Sequence, residues 1–285
     1  MSIETYRFKI GTFECIAVSD GIREGLSKSF LYANAPKERL VQVLREHNLQ
    51  QEQLVPLPCN CLVIDTTEHL VLVDTACGKS APQYPAYRRA GKLLQNLKSE
   101  RIEPSDFDTV ILTHGHADHI CGNIDAEGKP AFPNARYFMS RDEWEFWTSE
   151  IDPALNYGED WVDRIRKHLL PIQDQLHLFD QEGEIVPGIH TVAARGHTPG
   201  HTALSVHSKG EELLHISDLV VDRIHLEQPD WYMEHEFLPD QAVSSRRRLL
   251  EIAATRKLLV FAFHLPFPGL GHIIPKEAGW QWQPI

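Results

Sequence analysis

The chain has 285 residues, 42% of them hydrophobic, and its 40 Asp and Glu residues outnumber its 28 Lys and Arg residues, which gives a net charge of −12. A chain of this length and composition can bury a large core, so we expect a single domain over residues 1–285. The negative charge excludes a nucleic-acid binder and favours a neutral or cationic small molecule as the partner. No segment is apolar enough to cross a bilayer, and the start Met1–Thr5 is too polar for a signal peptide, so we expect a cytoplasmic protein with no membrane partner.

Short apolar segments alternate with amphipathic ones along the chain. The patterns predict strands at 6–10 and 13–18, a helix at 37–47, a hairpin at 61–64 and 70–73, a helix at 87–99, a strand at 109–112, helices at 141–148 and 161–170, strands at 189–193 and 213–216, a helix at 241–255 with Asp240 as N-cap, and a strand at 258–263. This order fits an α/β protein, an αββα sandwich of two mixed β-sheets flanked by helices.

The most informative segment is residues 113–119, which follow an apolar strand. His114, His116, Asp118 and His119 form the pattern HxHxDH. A strand that ends here delivers these side chains to a loop at the sheet edge, where His114 and His116 can face one ion and Asp118 and His119 a second. The pattern therefore predicts half of a dinuclear metal site. The alternative is a loop in which the imidazoles only form hydrogen bonds.

Three later segments supply further ligand candidates, each at the end of an apolar stretch. Residues 195–201 carry His197 and His201 in a turn with Gly and Pro, and one of these two histidines is expected to bind. Asp218 ends one strand-like segment and His264 ends another. Both are therefore expected at strand termini.

These blocks, HxHxDH, GHTxGH, a lone Asp and a lone His, closely resemble the signature of the metallo-β-lactamase-fold hydrolases. The resemblance implies one ion held by His114, His116 and His197, a second held by Asp118, His119 and His264, and Asp218 as the bridge between them. It favours His197 over His201 as the ligand and leaves His201 to support a ligand. Asp118 and Asp218 are the expected catalytic residues, Asp218 by setting the separation of the metals and Asp118 by orienting the hydroxide or taking its proton.

A narrower resemblance covers about residues 55–285 and is to the branch containing acyl-homoserine lactone lactonases and methyl parathion hydrolase. Residues 264–272 carry it, because they are similar to the HxPFPGxGH segment of that branch. The resemblance implies a quorum-quenching type of hydrolase that opens a lactone or cleaves a carboxylic ester through a hydroxide bridging the metals. The alternative activity is hydrolysis of organophosphate triesters or aryl esters. A ligand sensor without turnover would have no reason to keep seven ligands.

The implied cofactor is a pair of divalent metal ions. Imidazole and carboxylate ligands without a thiolate fit zinc, manganese, cobalt or iron, and zinc is the default for a hydrolase of this fold. Cys59 and Cys61 form only a CxC on an apolar strand and predict no metal site. Cys121 places a thiol of open role beside the HxHxDH block.

Aromatic side chains are the expected wall of a substrate pocket for small esters. The candidates are Phe267, Trp144, Trp147 and Trp231. Some lactonases place a substrate-binding Tyr three residues after the bridging Asp, but this chain has Val221, and Asp222 or His225 could supply a polar group instead. His272 is a weaker candidate for supporting a ligand, and whether two chains pair as a homodimer stays open.

Overall fold

The computed structural model describes residues 4–79, 81–150 and 159–285, in which the two halves of the chain each build one β-sheet. The first sheet contains β1 (Thr5–Ile10), β2 (Phe13–Leu26), β3 (Val55–Asp65), β4 (Leu70–Val73), β5 (Thr109–Ile111), β6 (Arg136–Ser140) and β7 (Leu176–Phe179). The second contains β8 (Glu184–Val186), β9 (Ile189–Ala193), β10 (Thr202–Ser208), β11 (Glu211–His215), β12 (Leu259–Phe261), β13 (Leu270–Lys276) and β14 (Gly279–Pro284). In both sheets the strands lie side by side in chain order.

Both sheets are mixed. Strands β4 to β7 run parallel, as do β11 and β12, and the other neighbours are antiparallel. The helices are α1 (Lys28–Leu31), α2 (Lys37–Glu46), α3 (Leu93–Ser99), α4 (Ala117–Ile120), α5 (Arg141–Thr148), α6 (Glu159–Leu169), α7 (Ile224–Glu227) and α8 (Pro239–Arg256). Helices α3, α5 and α6 pack on the first sheet and α8 on the second, which confirms the predicted αββα sandwich.

The alternation of side chains on β3 shows how the layers are sealed. Leu62 and Ile64 point between the two sheets, while Cys59, Cys61 and Val63 face the helices of the first layer. All five are buried. Burying one such aliphatic side chain contributes about 2 kcal/mol, so apolar residues on both faces fix the register of this strand.

Strand β2 continues to Leu26, well past the end expected at residue 18. The segment after residue 18 looks like a turn in the sequence, but its Asp20 is buried and accepts hydrogen bonds from the N–H groups of Gly91 at 2.9 Å and Leu93 at 2.8 Å. This tertiary contact keeps the chain extended across an irregular register. The extension carries Arg23 toward the metal-site edge of the sandwich.

The predicted elements agree best where the sequence pattern is strongest. The helix expected at 141–148 is α5 and the strand expected at 189–193 is β9. Helix α3 begins at Leu93 rather than at residue 87, because Gly91 has a φ of 84° that interrupts the helix. Helix α8 has Leu238 as its N-cap, and Asp240 lies in its first turn instead. No helix in the described ranges has the length and apolar character to cross a membrane.

Candidate metal centre

The first half of the chain brings four candidate ligands to the edge of its sheet. Strand β5 leads into His114, and His116 is the N-cap of α4, which carries Asp118 and His119. The strand is buried on both faces, so the chain must leave the sheet before polar side chains can gather. All four side chains are buried at this strand end.

The second half of the chain supplies three more candidate ligands. His197 lies in the loop between β9 and β10, Asp218 follows β11, and His264 follows β12. Because β11 and β12 are parallel neighbours, their carboxyl ends deliver Asp218 and His264 to the same edge. Gly196 has a φ of 132°, and a Cβ there would lie 2.0 Å from the backbone nitrogen of Ala242, so only glycine lets the loop pass close to α8.

One group of ligand atoms lies around His116. The nearest ligand atoms of His114, His116, His197 and Asp218 all lie within 4.8 Å of one another. Nδ1 of His116 is 3.0 Å from Nε2 of His114 and 2.9 Å from Nε2 of His197. Three imidazole nitrogens and a carboxylate form a donor set that suits a divalent ion such as zinc.

A second group shares the same aspartate. His119, Asp218 and His264 have ligand atoms within 4.8 Å of one another, and so do Cys59, Asp118 and His264. Oδ1 of Asp218 is 3.0 Å from Nε2 of His119, and its Oδ2 is 3.3 Å from Nε2 of His264. Because it belongs to both groups, Asp218 occupies the position that a bridging ligand requires. All seven residues predicted as ligands converge here, and their binding of metal stays a prediction.

Two atoms of this cluster lack hydrogen bonds. Nε2 of His119 and Oδ1 of Asp218 are buried and have no hydrogen-bond partner among the described residues, although they lie 3.0 Å apart. Buried polar atoms nearly always have a partner. A cation coordinated by both atoms would satisfy them, so the side chains present fit a metal ion.

Three imidazoles hold their outer nitrogen in a hydrogen bond, which turns the other nitrogen toward the cluster. These bonds join Nδ1 of His119 to Asp74 at 2.8 Å, Nδ1 of His197 to Glu236 at 2.9 Å, and Nδ1 of His264 to the carbonyl of Pro58 at 2.8 Å. Asp74 also accepts a hydrogen bond from Thr113 Oγ1 at 2.8 Å, and buried Arg246 donates to Glu236 at 3.3 Å. The ring orientations are therefore fixed by residues that pattern reasoning did not identify.

Metal binding to the metal-free protein is expected to release protons near neutral pH. Burial alone lowers the pKa of both imidazoles, but Asp218 and Asp74 raise the pKa of His119 to about 10, and Glu236 and Asp218 raise the pKa of His197 to about 9. Both rings therefore carry a proton that an incoming ion must displace. Zinc titration in weakly buffered solution should show acidification, and affinity should rise with pH. Zinc uptake without proton release would show that these two rings are neutral in the metal-free protein.

Glu143 on α5 is a fully buried carboxylate that joins the two histidine loops. It accepts hydrogen bonds from the N–H groups of Gly115 at 2.8 Å and Gly200 at 3.0 Å, and from Thr198 Oγ1 and Trp147 Nε1, both at 2.6 Å. Burial raises the pKa of Glu143, and these four donors oppose that shift. A Cβ on Gly200 would lie 2.4 Å from the backbone nitrogen of Glu143, which accounts for the second glycine of the GHTxGH block. Nothing in the sequence points to this role, because a Glu in an amphipathic helix is usually solvated.

A cavity of about 460 Å³, its open mouth included, lies over the cluster. Its floor contains His116, Asp118, His197, Asp218 and His264. Its wall contains Leu26, Phe30, Leu57, Trp161, Val221 and Met233, together with Arg23 and His235. This volume and apolar wall suit a small organic ligand whose polar end meets the floor.

Arg23 is a cationic side chain next to the cluster. Its Nε is buried without a hydrogen-bond partner among the described residues and lies 3.8 Å from Oδ2 of Asp118. The guanidinium carbon lies 5.7 Å from the centre of the Tyr87 ring, which supports it by a cation–π contact. Arg23 therefore holds an unused donor at the wall of the cavity. Pattern reasoning missed it because it lies beyond the expected end of β2.

The structure places the predicted pocket tryptophans elsewhere. Trp147 is fully buried and donates its N–H to Glu143, and Trp144 packs against the helix layer of the first sheet. Trp231 is buried with its ring 5.8 Å from that of Tyr32. The tryptophan on the cavity wall is Trp161 instead.

The other residues predicted for the pocket also make contacts within the protein instead of lining the cavity. Phe267 packs against the core between the two sheets, and the buried His225 donates from Nε2 to the carbonyl of Leu31 at 2.9 Å. Asp222 accepts a hydrogen bond from the hydroxyl of Tyr32 at 2.6 Å. None of these three residues is among the described residues that line the cavity.

Two further histidines and a thiol were singled out by the sequence. Nε2 of His201 accepts a hydrogen bond from the N–H of Asp218 at 3.2 Å, which places it directly behind the bridging position. His272 lies on β13 and donates to a backbone carbonyl at 2.9 Å. The buried Cys121 has its sulfur 3.7 Å from Nδ1 of His168 and belongs to none of the candidate metal groups among the described residues.

The chain is similar in sequence and fold to several known proteins. A sequence profile of the metallo-beta-lactamase superfamily matches residues 54–264. An N-acyl homoserine lactonase of Bacillus thuringiensis is 28% identical over 228 residues, which cover 74% of this chain and 83% of the relative. The solved structure of AidC, a dizinc quorum-quenching lactonase in complex with a product, has a TM-score of 0.90 and 28% identity and covers 99% of this chain and 97% of its own. The structure of AbOPH, a hydrolase in the beta lactamase superfamily, has a TM-score of 0.86 and 28% identity. The match covers 100% of this chain and 98% of the AbOPH chain.

Proposed function

Because the chain belongs to the metallo-beta-lactamase superfamily of metal-dependent hydrolases, we propose that it opens lactone rings, with N-acyl homoserine lactones as the leading substrate class. Relatives named N-acyl homoserine lactonase and the dizinc lactonase structure support this proposal. The observation that carries it is the cavity, in which an apolar wall adjoins a floor of imidazoles and carboxylates. An acylated lactone has the matching parts, a hydrocarbon chain and a carbonyl.

The proposal assigns two divalent ions, zinc as the default, to the two groups of ligand atoms. His114, His116 and His197 would hold one ion, Asp118, His119 and His264 would hold the other, and Asp218 would be shared by both positions. When bound, such a pair supplies Lewis acidity and lowers the pKa of a shared water toward neutrality. The hydrogen bonds on the outer nitrogens keep the rings in place for this task.

A carboxylate of the protein, Asp118, is the proposed group that transfers the proton of the attacking water. Water adds its oxygen to the lactone carbonyl carbon, the ring C–O bond breaks, and a proton passes to the leaving alkoxide, so the product is a hydroxy acid. Asp118 lies on the cavity floor, within 3.8 Å of both Arg23 and His264. We assign to Asp118 the orientation of the attacking water and the transfer of its proton.

Arg23 is assigned the substrate-binding role that a Tyr has in some lactonases at the position of Val221. Val221 presents an apolar side chain to the cavity, and Asp222 is engaged with Tyr32. The Nε of Arg23, which has no hydrogen-bond partner among the residues that the structure describes, is a donor suited to the substrate carbonyl and to the carboxylate of the product. A charged donor at this wall favours substrates that develop negative charge on oxygen.

Replacement of Arg23 by methionine is expected to lower kcat/KM for lactones by about 10- to 100-fold, the loss of one hydrogen bond from a charged donor. Metal content should stay at two ions per chain. The matched control is Arg39→Met, because the side chain of Arg39 is 38% exposed and pairs with Glu46 on α2, outside the cavity over the cluster. Steady-state kinetics with metal analysis measure both quantities. An R23M enzyme within about twofold of the native kcat/KM would contradict the role of Arg23.

The proposed function is tested by assaying the zinc-loaded protein on acyl-homoserine lactones of several chain lengths, aryl esters and phosphate triesters. We expect lactones to react fastest. We also expect a preference for longer acyl chains, because these contact more of the apolar wall formed by Leu26, Phe30 and Met233. Lactone opening no faster than in buffer would overturn the proposal. Faster cleavage of phosphate triesters would assign the site to phosphoryl esters instead.

A further inference from the structure

Cys59 lies beside the cluster, at a place that neither the ligand motifs nor the proposed function uses. Its side chain is fully buried on β3 and faces the helix side of the first sheet, like Cys61. Its sulfur, a carboxylate oxygen of Asp118 and a ring nitrogen of His264 all lie within 4.8 Å of one another. These three atoms could contact one ion.

Hydrogen bonds fasten this part of β3 to the segment that carries His264. The N–H of Asn60 donates to the carbonyl of Phe263 at 3.0 Å, and its side-chain amide donates to the carbonyl of Leu265 at 2.8 Å. Nδ1 of His264 donates to the carbonyl of Pro58 at 2.8 Å. The bonds on either side of Cys59 therefore fix its position relative to the metal-binding imidazole.

The sulfur itself is only weakly engaged by protein. Cys59 is 3.8 Å from the carbonyl oxygen of Leu57, and the thiol of Cys77 approaches its sulfur at 3.9 Å. Cys77 is held in turn, because its N–H donates to Asp20 at 3.3 Å. These two contacts are long, and another neighbour of the sulfur is the ring of His264, itself a proposed ligand. The sulfur is therefore available to a metal ion, and Cys77 is placed to donate to a thiolate.

We propose that Cys59 is an additional, thiolate ligand of the ion held by Asp118 and His264. The inference rests on the proposed dinuclear centre. On metal binding the thiol loses its proton to solvent and a sulfur–metal bond forms, with no change of oxidation state. The two ions then differ in chemistry, one bound by nitrogen and oxygen only and the other also by sulfur. A soft sulfur ligand shifts the second position toward zinc, cobalt or cadmium and away from manganese.

Cobalt substitution tests this proposal by spectroscopy. The full chain loaded with two Co²⁺ ions should show a near-ultraviolet sulfur-to-cobalt charge-transfer band. The band should be absent from Cys59→Ser and Cys59→Ala and kept in Cys61→Ala, the control, since Cys61 is equally buried two residues further along the same strand. Affinity for the second ion should fall by at least about tenfold in Cys59→Ser. Removing a residue that only hydrogen-bonds to a metal ligand can already cause a loss of this size, and a ligand should matter at least as much.

The outcomes separate this inference from the proposed function. A native protein that binds two Co²⁺ ions without the band overturns the thiolate ligand, whether or not either Cys59 variant folds. If the same protein still opens lactones, the proposed function stands. A band that persists in Cys59→Ser also overturns the assignment, because another thiol must then be the ligand. Failure to bind a pair of ions at all would remove the dinuclear centre and the thiolate ligand together.

Discussion

Asp218→Ala is expected to abolish the dinuclear centre and to lower hydrolysis by at least about a thousandfold, equivalent to about 4 kcal/mol of transition-state stabilisation. Asp218 is the one residue common to both main groups of ligand atoms, with oxygens 3.0 Å from Nε2 of His119 and 3.3 Å from Nε2 of His197. Burial opposes ionisation, but the charges of His264 and His119 hold the pKa of Asp218 well below its usual range. Its removal would take away the negative charge shared by the two proposed ion positions.

Metal analysis after equilibration with excess zinc measures the effect directly. We expect the D218A protein to hold at most one ion per chain, while the native protein holds two. Asp240→Ala is the matched control, because Asp240 is exposed in the first turn of α8 and should leave metal content and kcat unchanged. A D218A protein that keeps two ions and native activity would remove Asp218 from the bridging position.

Glu143→Ala is expected to destabilise the folded protein by about 4 kcal/mol and to lower metal affinity at the same time. The substitution leaves the N–H groups of Gly115 and Gly200, the hydroxyl of Thr198 and the indole N–H of Trp147 buried without their acceptor. These donors belong to the loops that carry His116 and His197 or to the helix beneath them. Both loops therefore lose their common anchor.

Urea unfolding of the metal-free protein measures the change in the free energy of unfolding without a contribution from bound zinc. The control is Glu145→Ala, which changes an exposed residue on the same helix and should stay within about 0.5 kcal/mol of the native free energy of unfolding. Glu143→Gln should give an intermediate loss, because the amide keeps one acceptor oxygen but sets an NH₂ group against existing donors. Equal stability of E143A and E145A would show that Glu143 does not anchor the loops.

The sequence was most informative where chemistry and local pattern coincide. The HxHxDH spacing predicted four side chains that the fold does bring together, and the β-branched segment before it predicted β5. Amphipathic spacing gave α5 its correct bounds. These features are local, so a single stretch of sequence contains what determines them.

Residues that act through distant partners could not be predicted. Arg23 lies past Gly21, where the sequence resembles a turn, and only contacts of Asp20 with the segment near Gly91 keep the strand extended. Cys59 directly follows Pro58 on an apolar strand, and only hydrogen bonds between its neighbours and the segment after β12 make it a neighbour of the candidate metal site. The aromatic wall was misplaced for a related reason, since nothing in a sequence tells a packed indole such as Trp147 from one that lines a cavity.

The division of the sandwich between the two halves of the chain has a consequence for assembly. His114, His116, Asp118 and His119 belong to the half that builds the first sheet, and His197, Asp218 and His264 to the half that builds the second. Neither half supplies all seven of the proposed ligands, so the proposed site would be complete only after the two halves have packed together. Bound metal would then hold the two halves of the sandwich together, and a partly folded chain whose halves had not packed against each other would lack the site.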